Sequence, residues 1–145
     1  MRAALLAVLL AAGQAALACG HCVEDKIAAV YDHAAITRAV AAKKTVVFFA
    51  IDGTLRPGQP MRLKIEQLAA SVRGVDAGSV RLSMELASLA LAFDPRRASL
   101  VDVQAGLERK LAPLGLSLLA MRLMEQPGDL TAARADSPDN HRKQP

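Results

Sequence analysis

The segment Thr45–Ile51 most strongly limits the folds that this sequence can adopt. Most of its residues are β-branched or aromatic, and they are apolar at odd and even positions alike. A strand with two apolar faces belongs inside a sheet that is covered on both sides. Asp52-Gly53 follows and marks the end of the strand. The sequence therefore predicts a central strand over 45–51.

Five further elements follow this strand, and their order decides the fold class. Helical spacing of apolar residues predicts two helices, and alternation of apolar residues predicts three strands. With the central strand, the order is β-α-β-β-α-β, the split βαβ pattern of a ferredoxin-like α+β sandwich. The predicted ranges are 61–72 and 100–111 for the helices and 80–86, 89–93 and 116–124 for the strands, with a hairpin turn at Ala87-Ser88.

An extra helix is expected ahead of the central strand. Apolar residues recur with helical spacing from Val23 to about Ala42, and no Gly or Pro interrupts this range. The two helices of a β-α-β-β-α-β unit cover one face of its sheet. Either the extra helix or a second copy of the protein has to cover the other face, so a homodimer or a protein partner on that open face is a candidate interaction.

The residues 1–18 have the order of a secretory signal peptide. Arg2 precedes an apolar run, and Ala15-Ala16-Leu17-Ala18 supplies the small residues of a cleavage site. The apolar run is shorter than the roughly 20 residues that a membrane-spanning helix needs. We therefore expect an exported protein, periplasmic or extracellular, whose mature chain begins at or beside Cys19. The alternative is an N-terminal helix packed on the domain.

These patterns divide the chain into four parts and exclude one class of partner. Residues 1–18 are the signal peptide, 19–44 carry a cysteine motif and the extra helix, 45–124 form the ferredoxin-like domain, and 125–145 are expected to be a disordered tail. The 18 basic residues barely exceed the 14 acidic ones, and the chain has one Tyr, three Phe and no Trp. A small, dispersed charge surplus with so few aromatic residues argues against nucleic-acid binding.

The motif Cys19-Gly20-His21-Cys22 is the best candidate for chemistry. Two thiols three positions apart can converge on one soft metal ion, and thiolates are ligands for copper(I), mercury or zinc. Two sulfur ligands suit copper(I) or mercury better than zinc, which usually takes four ligands. His21 and His33 are candidate further donors. We therefore expect a non-enzymatic protein. It binds a soft metal ion such as copper(I) through Cys19, Cys22 and His21.

Four alternatives stay open for this motif. Its Gly-His dipeptide is also that of the protein disulfide isomerase site, which favours thiol–disulfide exchange. Exported thiols tend to oxidise, which favours an inert disulfide. Ala16-Leu17-Ala18-Cys19 is a poor lipobox, and lipidation of Cys19 would anchor the chain to a membrane and leave Cys22 alone. In the fourth alternative the protein is a non-catalytic interaction module and the cysteines are incidental.

Two stretches of the predicted domain resemble a known family. Leu68–Val80, with its Gly74-Val75 turn, and Phe93–Leu100, with its Asp94-Pro95 turn, are similar to successive elements of the heavy-metal-associated domain. The resemblance implies the ferredoxin-like module of copper chaperones, metal-pump N-termini and mercury-binding proteins. In that family the metal-binding C-x-x-C lies in the loop after the first strand. The corresponding stretch here, Asp52–Pro60, contains no cysteine, so the resemblance supports no metal site in that loop.

A second resemblance has a structural interpretation instead. Phe48–Leu55 is similar to the first motif of haloacid-dehalogenase-type phosphatases, a hydrophobic strand followed by D-x-D-G-T. The first aspartate of that motif is the nucleophile, and this chain has Ala50 there. Covalent catalysis fails without a carboxylate to take the phosphoryl group. Asp52-Gly53-Thr54 is therefore predicted to be a turn that ends the strand.

The remaining candidates are one histidine and four methionines. His33 follows Asp32 and could be an oriented base, although a lone histidine on a helix is more often a surface or packed residue. The methionine thioethers are candidate copper(I) ligands. Core packing is expected for the three in predicted strands, Met84, Met121 and Met124, and Met61 lies in a predicted helix.

Overall fold

A computed structural model describes residues 23–125 of the chain. Within that range the fold is α+β, with four helices and one four-stranded sheet. The signal peptide, the cysteine motif and the C-terminal tail proposed from the sequence lie outside the described residues, apart from Glu125. The helices are α1 (23–28), α2 (His33–Ala41), α3 (Gln59–Ala70) and α4 (Leu100–Leu111), and the strands are β1 (Thr45–Asp52), β2 (Arg81–Ser83), β3 (Ser88–Phe93) and β4 (Ser117–Met124).

The sheet is antiparallel throughout and has the strand order β2-β3-β1-β4. β1 therefore lies inside the sheet, between β3 and β4, as its two apolar faces predict. Val47, Phe48 and Phe49 at its centre are fully buried. A register shift between Phe48 and Phe49 adds one residue to β4 at this point. The predicted central strand is confirmed.

Helices α3 and α4 cover one face of the sheet, which we call the first face. Ile65 of α3 and Leu107 of α4 pack there against Phe49, and all three are fully buried. Ser99 begins α4 with a capping box, in which its hydroxyl accepts the Asp102 N–H and the Asp102 carboxylate accepts the Ser99 N–H. α3 begins and ends two residues earlier than predicted, with Pro60 in its first turn.

The opposite, second face of the sheet is covered by α1 and α2. Ile27 of α1 and Ile36 of α2 pack with Phe48 in a separate buried cluster. The chain therefore covers this face with its own N-terminal helices, which is the first of the two alternatives stated above. The single helix expected over 23–42 is wrong, because residues 29–32 leave the helix and Asp32 starts a new one. Its carboxylate accepts the Ala35 N–H at 3.0 Å, as an N-cap does.

The predicted hairpin is present, but its turn lies earlier than expected. The turn occupies 84–87, so Met84 belongs to the turn and not to a strand. Ser88 is already in β3, where it pairs with Ser83 and Ala50. Ala87 adopts a positive φ of 48° and accepts the Ile51 N–H at 2.8 Å. No glycine marks this left-handed position, which is why the sequence does not reveal it.

Candidate functional site

The predicted metal ligands Cys19, His21 and Cys22 lie outside the described residues. The described chain begins at Val23, the residue after Cys22, and residues 23–28 form α1. The part of the site that the structure describes is therefore the point at which α1 joins the domain.

Two polar contacts attach α1 to the sheet. Glu24 forms an ion pair with Arg122 of β4, with 2.5 Å between the carboxylate Oε1 and the guanidinium Nη2. Lys26 donates from its ammonium group to the carbonyl oxygens of Leu86, at 2.8 Å, and Ala87, at 3.3 Å. Because one contact reaches β4 and the other reaches the hairpin turn, α1 bridges the two sides of β1. Ile27 lies buried between them.

A row of three residues crosses the sheet at the end nearest these contacts. Leu119 of β4 pairs with Ala50 of β1, and Ala50 pairs with Ser88 of β3. All three side chains belong to the second face, since Ala50 follows Phe49 of the first face and side chains alternate along a strand. Exposure falls across the row, from 68% at Leu119 through a half-buried Ala50 to a fully buried Ser88. We call these residues the sheet-end row.

The described part of α1 and its contacts include exposed apolar residues. Val23 is the first described residue of α1, and Leu86 supplies a carbonyl to Lys26. Leu119 precedes Arg122, the partner of Glu24, by three positions on β4. Val23, Leu86 and Leu119 are all counted among the exposed large apolar side chains of the described chain. The described surface around α1 therefore combines exposed apolar side chains with the Glu24–Arg122 ion pair.

Ser88 is the one buried side chain of the described residues whose polar atom has no hydrogen-bond partner there. A buried hydroxyl without a partner costs about 1–3 kcal/mol. We expect Ser88→Ala to raise the free energy of unfolding by about 1 kcal/mol, measured by urea denaturation. Ser79→Ala is the control, because the Ser79 hydroxyl donates to the Asp76 carbonyl at 2.6 Å and accepts the Ala92 N–H at 2.7 Å.

The control is expected to lower the free energy of unfolding by about 1 kcal/mol, the value of a typical hydrogen bond. A loss of stability in Ser88→Ala as large as that in Ser79→Ala would contradict the account. It would mean that the Ser88 hydroxyl has a partner in the folded protein.

The Asp32 carboxylate, which was the candidate to orient His33, forms its hydrogen bonds with other residues. Asp32 accepts the Ala35 N–H and the Arg81 guanidinium, with 3.1 Å between Oδ2 and Nε. The Ala35 N–H and then Arg81 hold the pKa of Asp32 below its ordinary value. His33 is exposed, and its Nδ1 lies 3.5 Å from the Tyr31 hydroxyl. Asp32 is therefore a helix cap and an ion-pair partner, and the surface interpretation of His33 is confirmed.

The four methionines divide between the two faces of the sheet. Met61 and Met84 pack against the core of the first face. Met121 and Met124 pack against the core of the second face, where Met124 is buried. Since the sheet separates the pairs, the four thioethers do not converge on one ion. Core packing explains them, as expected for Met84, Met121 and Met124.

Two general properties of the described residues bear on the site. Residues 23–125 hold no group of three or more His, Cys, Asp or Glu side chains arranged to bind a metal ion. In the same range no helix has the length and apolar character to span a bilayer.

Asp52 ends β1 and the chain bends at Gly53, which confirms the strand-ending turn predicted for Asp52-Gly53-Thr54.

Sequence reasoning missed the contacts that position α1. Glu24 and Arg122 are 98 residues apart, and Lys26 is 60 residues from Leu86. No local pattern links such residues, and only the strand order brings them together.

No protein-family model matches the sequence, and no curated protein matches it significantly.

Proposed function

We propose that this chain is an exported protein that binds a soft metal ion, of the copper(I) type, through the thiolates of Cys19 and Cys22. His21 is the further donor. The residues 45–124 are proposed to be a ferredoxin-like domain similar to heavy-metal-associated domains. The antiparallel order β2-β3-β1-β4, formed by elements in the sequence β-α-β-β-α-β, supports this assignment.

The observation that supports the proposal is that the cysteine motif directly precedes, in the sequence, a helix that is fixed on the sheet. Cys22 directly precedes residues 23–28 of α1, and Glu24 and Lys26 hold α1 on the second face of the sheet. We therefore propose that the motif lies close to the second face of the sheet. Its thiolate form is the one that binds metal.

The donor chemistry favours copper(I) among the soft ions. The two cysteines of the motif are the only ones in the chain. Thiolate ligands select copper(I), and a pair of thiolates with one imidazole satisfies its low coordination number without a donor from the domain. Zinc usually requires four ligands.

The test is a copper(I) titration of the mature chain from Cys19, reduced and under anaerobic conditions, in competition with a chromogenic copper(I) chelator. We expect one copper(I) per chain. Cys19→Ser and Cys22→Ser should each weaken binding by more than the roughly 10–100-fold that loss of an outer-shell partner causes. His21→Ala should weaken it less, and the matched variant His33→Ala should leave it unchanged. Binding that survives Cys22→Ser would contradict the proposal.

Thiol–disulfide exchange is the second candidate, favoured by the Gly20-His21 dipeptide between the cysteines. A redox titration of the same chain separates the two functions. An exchange protein would show a disulfide with a reduction potential above about −200 mV and no copper(I) retention, whereas a structural disulfide lies below about −300 mV. In that outcome the metal-binding proposal fails.

A further inference from the structure

A concave surface lies between α4 and the chain segments that follow α3 and precede α4. It is a cleft of about 370 Å³ that runs from the residues after α3 along the exposed side of α4. Arg73, Arg97, Arg109 and Lys110 line it, together with one acidic residue, Asp102. We call it the basic cleft. It shares no residue with the sheet-end row or with α1.

The single carboxylate does not neutralise the cleft. Asp102 is engaged in the capping box, where it accepts the Ser99 N–H at 3.1 Å and the Ser99 hydroxyl at 2.7 Å. These hydrogen bonds, and then the charges of Arg73 and Arg109, hold the pKa of Asp102 below its ordinary value. Asp102 therefore contributes one negative charge against four positive ones.

Ion pairs with carboxylates engage five other cations of the described chain. None of the four cleft cations forms an ion pair with a carboxylate within residues 23–125. A groove that gathers four such cations retains a positive potential, and low-dielectric walls strengthen it. The ion pairs formed elsewhere in the described chain are Lys44–Asp76, Arg62–Glu66, Arg81–Asp32, Arg96–Asp94 and Arg122–Glu24.

The helix dipoles explain only some of these charges. Arg109 and Lys110 lie in the last turn of α4, where a cation is favourable. Arg97 precedes the Ser99 cap, at the end of the helix where a cation is unfavourable and an anion is favourable. Its position adds positive charge to a region that already attracts anions. A bound anion would compensate this arrangement.

The cleft contains open volume because several of the side chains that line it are small. Ala98, Ala105 and Gly106 form part of it. α4 approaches the chain after α3 so closely at Gly106 that a Cβ atom there would lie 2.9 Å from Cγ1 of Val72. The basic side chains therefore rise from a tightly packed surface that leaves open volume between them.

We infer that the basic cleft binds a phosphate group. A phosphate dianion matches the excess of positive charge, and it can accept paired hydrogen bonds from the planar guanidinium groups of Arg73 and Arg109. The group can belong to inorganic phosphate or to the headgroup of a lipid, and both supply the same chemistry to the cleft. This inference is independent of metal binding by the cysteines.

The test uses the mature chain with Cys19→Ser and Cys22→Ser, so that metal and thiol chemistry do not contribute. Inorganic phosphate is titrated at low ionic strength and followed by amide chemical shifts, with binding expected at residues 97–110. Arg73→Gln with Arg109→Gln should weaken binding by about tenfold or more, since hydrogen bonds to charged groups are worth about 1.5–3 kcal/mol each. Arg56→Gln with Lys64→Gln removes the same charge outside the cleft and should leave binding unchanged.

A second arm identifies the source of the phosphate group. Vesicles containing phosphatidylglycerol are mixed with the same variants in a sedimentation assay. Vesicle binding that depends on Arg73 and Arg109 indicates a lipid headgroup, and phosphate binding without vesicle binding indicates a soluble ligand. The inference is overturned if neither probe binds, or if the two double variants lose binding equally. Thermal unfolding of each variant confirms that it is folded before titration.

Discussion

Gly53→Ala is expected to lower the free energy of unfolding by at least about 2 kcal/mol. Gly53 follows the central strand with a φ of +118°, a conformation that residues with a side chain rarely adopt. A Cβ atom at this position would also lie 2.3 Å from the carbonyl oxygen of Gly115. That oxygen belongs to the backbone just before β4, so relief requires the strand to move. Urea denaturation at neutral pH measures the change.

Gly58→Ala is the matched control for this prediction. Gly58 also has a positive φ, of +139°, but its nearest neighbour to an added Cβ is a ring carbon of Pro60 at 3.7 Å. The control therefore carries the backbone strain without the collision and should lose less stability. Equal losses in the two variants would show that the collision with Gly115 is relieved at no cost.

Phe48→Ala is expected to lower the free energy of unfolding by about 3–5 kcal/mol and to loosen α1 and α2 selectively. Phe48 is fully buried on the second face and is stacked with Tyr31, with 6.4 Å between ring centroids and 11° between planes. It belongs to the cluster that holds Ile27 and Ile36. Removing the ring deletes a buried apolar contact beneath both N-terminal helices.

Phe49→Ala is the natural comparison, because it removes the same ring from the next residue of β1. Phe49 packs on the first face with α3 and α4. Native-state hydrogen exchange should show the largest increase in residues 23–41 for Phe48→Ala and in residues 100–111 for Phe49→Ala. An identical exchange pattern in the two variants would contradict the assignment of two separate cores.

The sequence predicts the elements of the domain well because their signals are local. β1 is apolar on both faces, and α4 has the Ser99 cap and a regular apolar stripe, so both are found where expected. The hairpin turn was misplaced because Ala87 takes a left-handed conformation without glycine. The break between α1 and α2 was missed because a helical apolar stripe continues across it. Asp32, the cap at that break, is the local signal that could have located it.

The surroundings of the two sites cannot be predicted from local signals, because they depend on residues that are distant in the sequence. The cysteine motif can be proposed from sequence, since its two thiols are three positions apart. The contacts of α1 with Arg122 and Leu86 cannot be proposed in this way, because only the strand order brings these residues to α1. The basic cleft is a similar case. Arg97 has the appearance of a turn residue until the fold places it in one cleft with Arg73 and Arg109.

The central claim is that an exported chain carries a metal ion on Cys19 and Cys22. Native mass spectrometry of the protein, purified anaerobically from its exporting host after growth with copper, tests it most directly. The account predicts a chain that begins at unmodified Cys19 and carries one copper(I), which is absent from the Cys22→Ser variant. A diacylglycerol-modified Cys19, or a metal-free chain with both thiols free, would contradict the account.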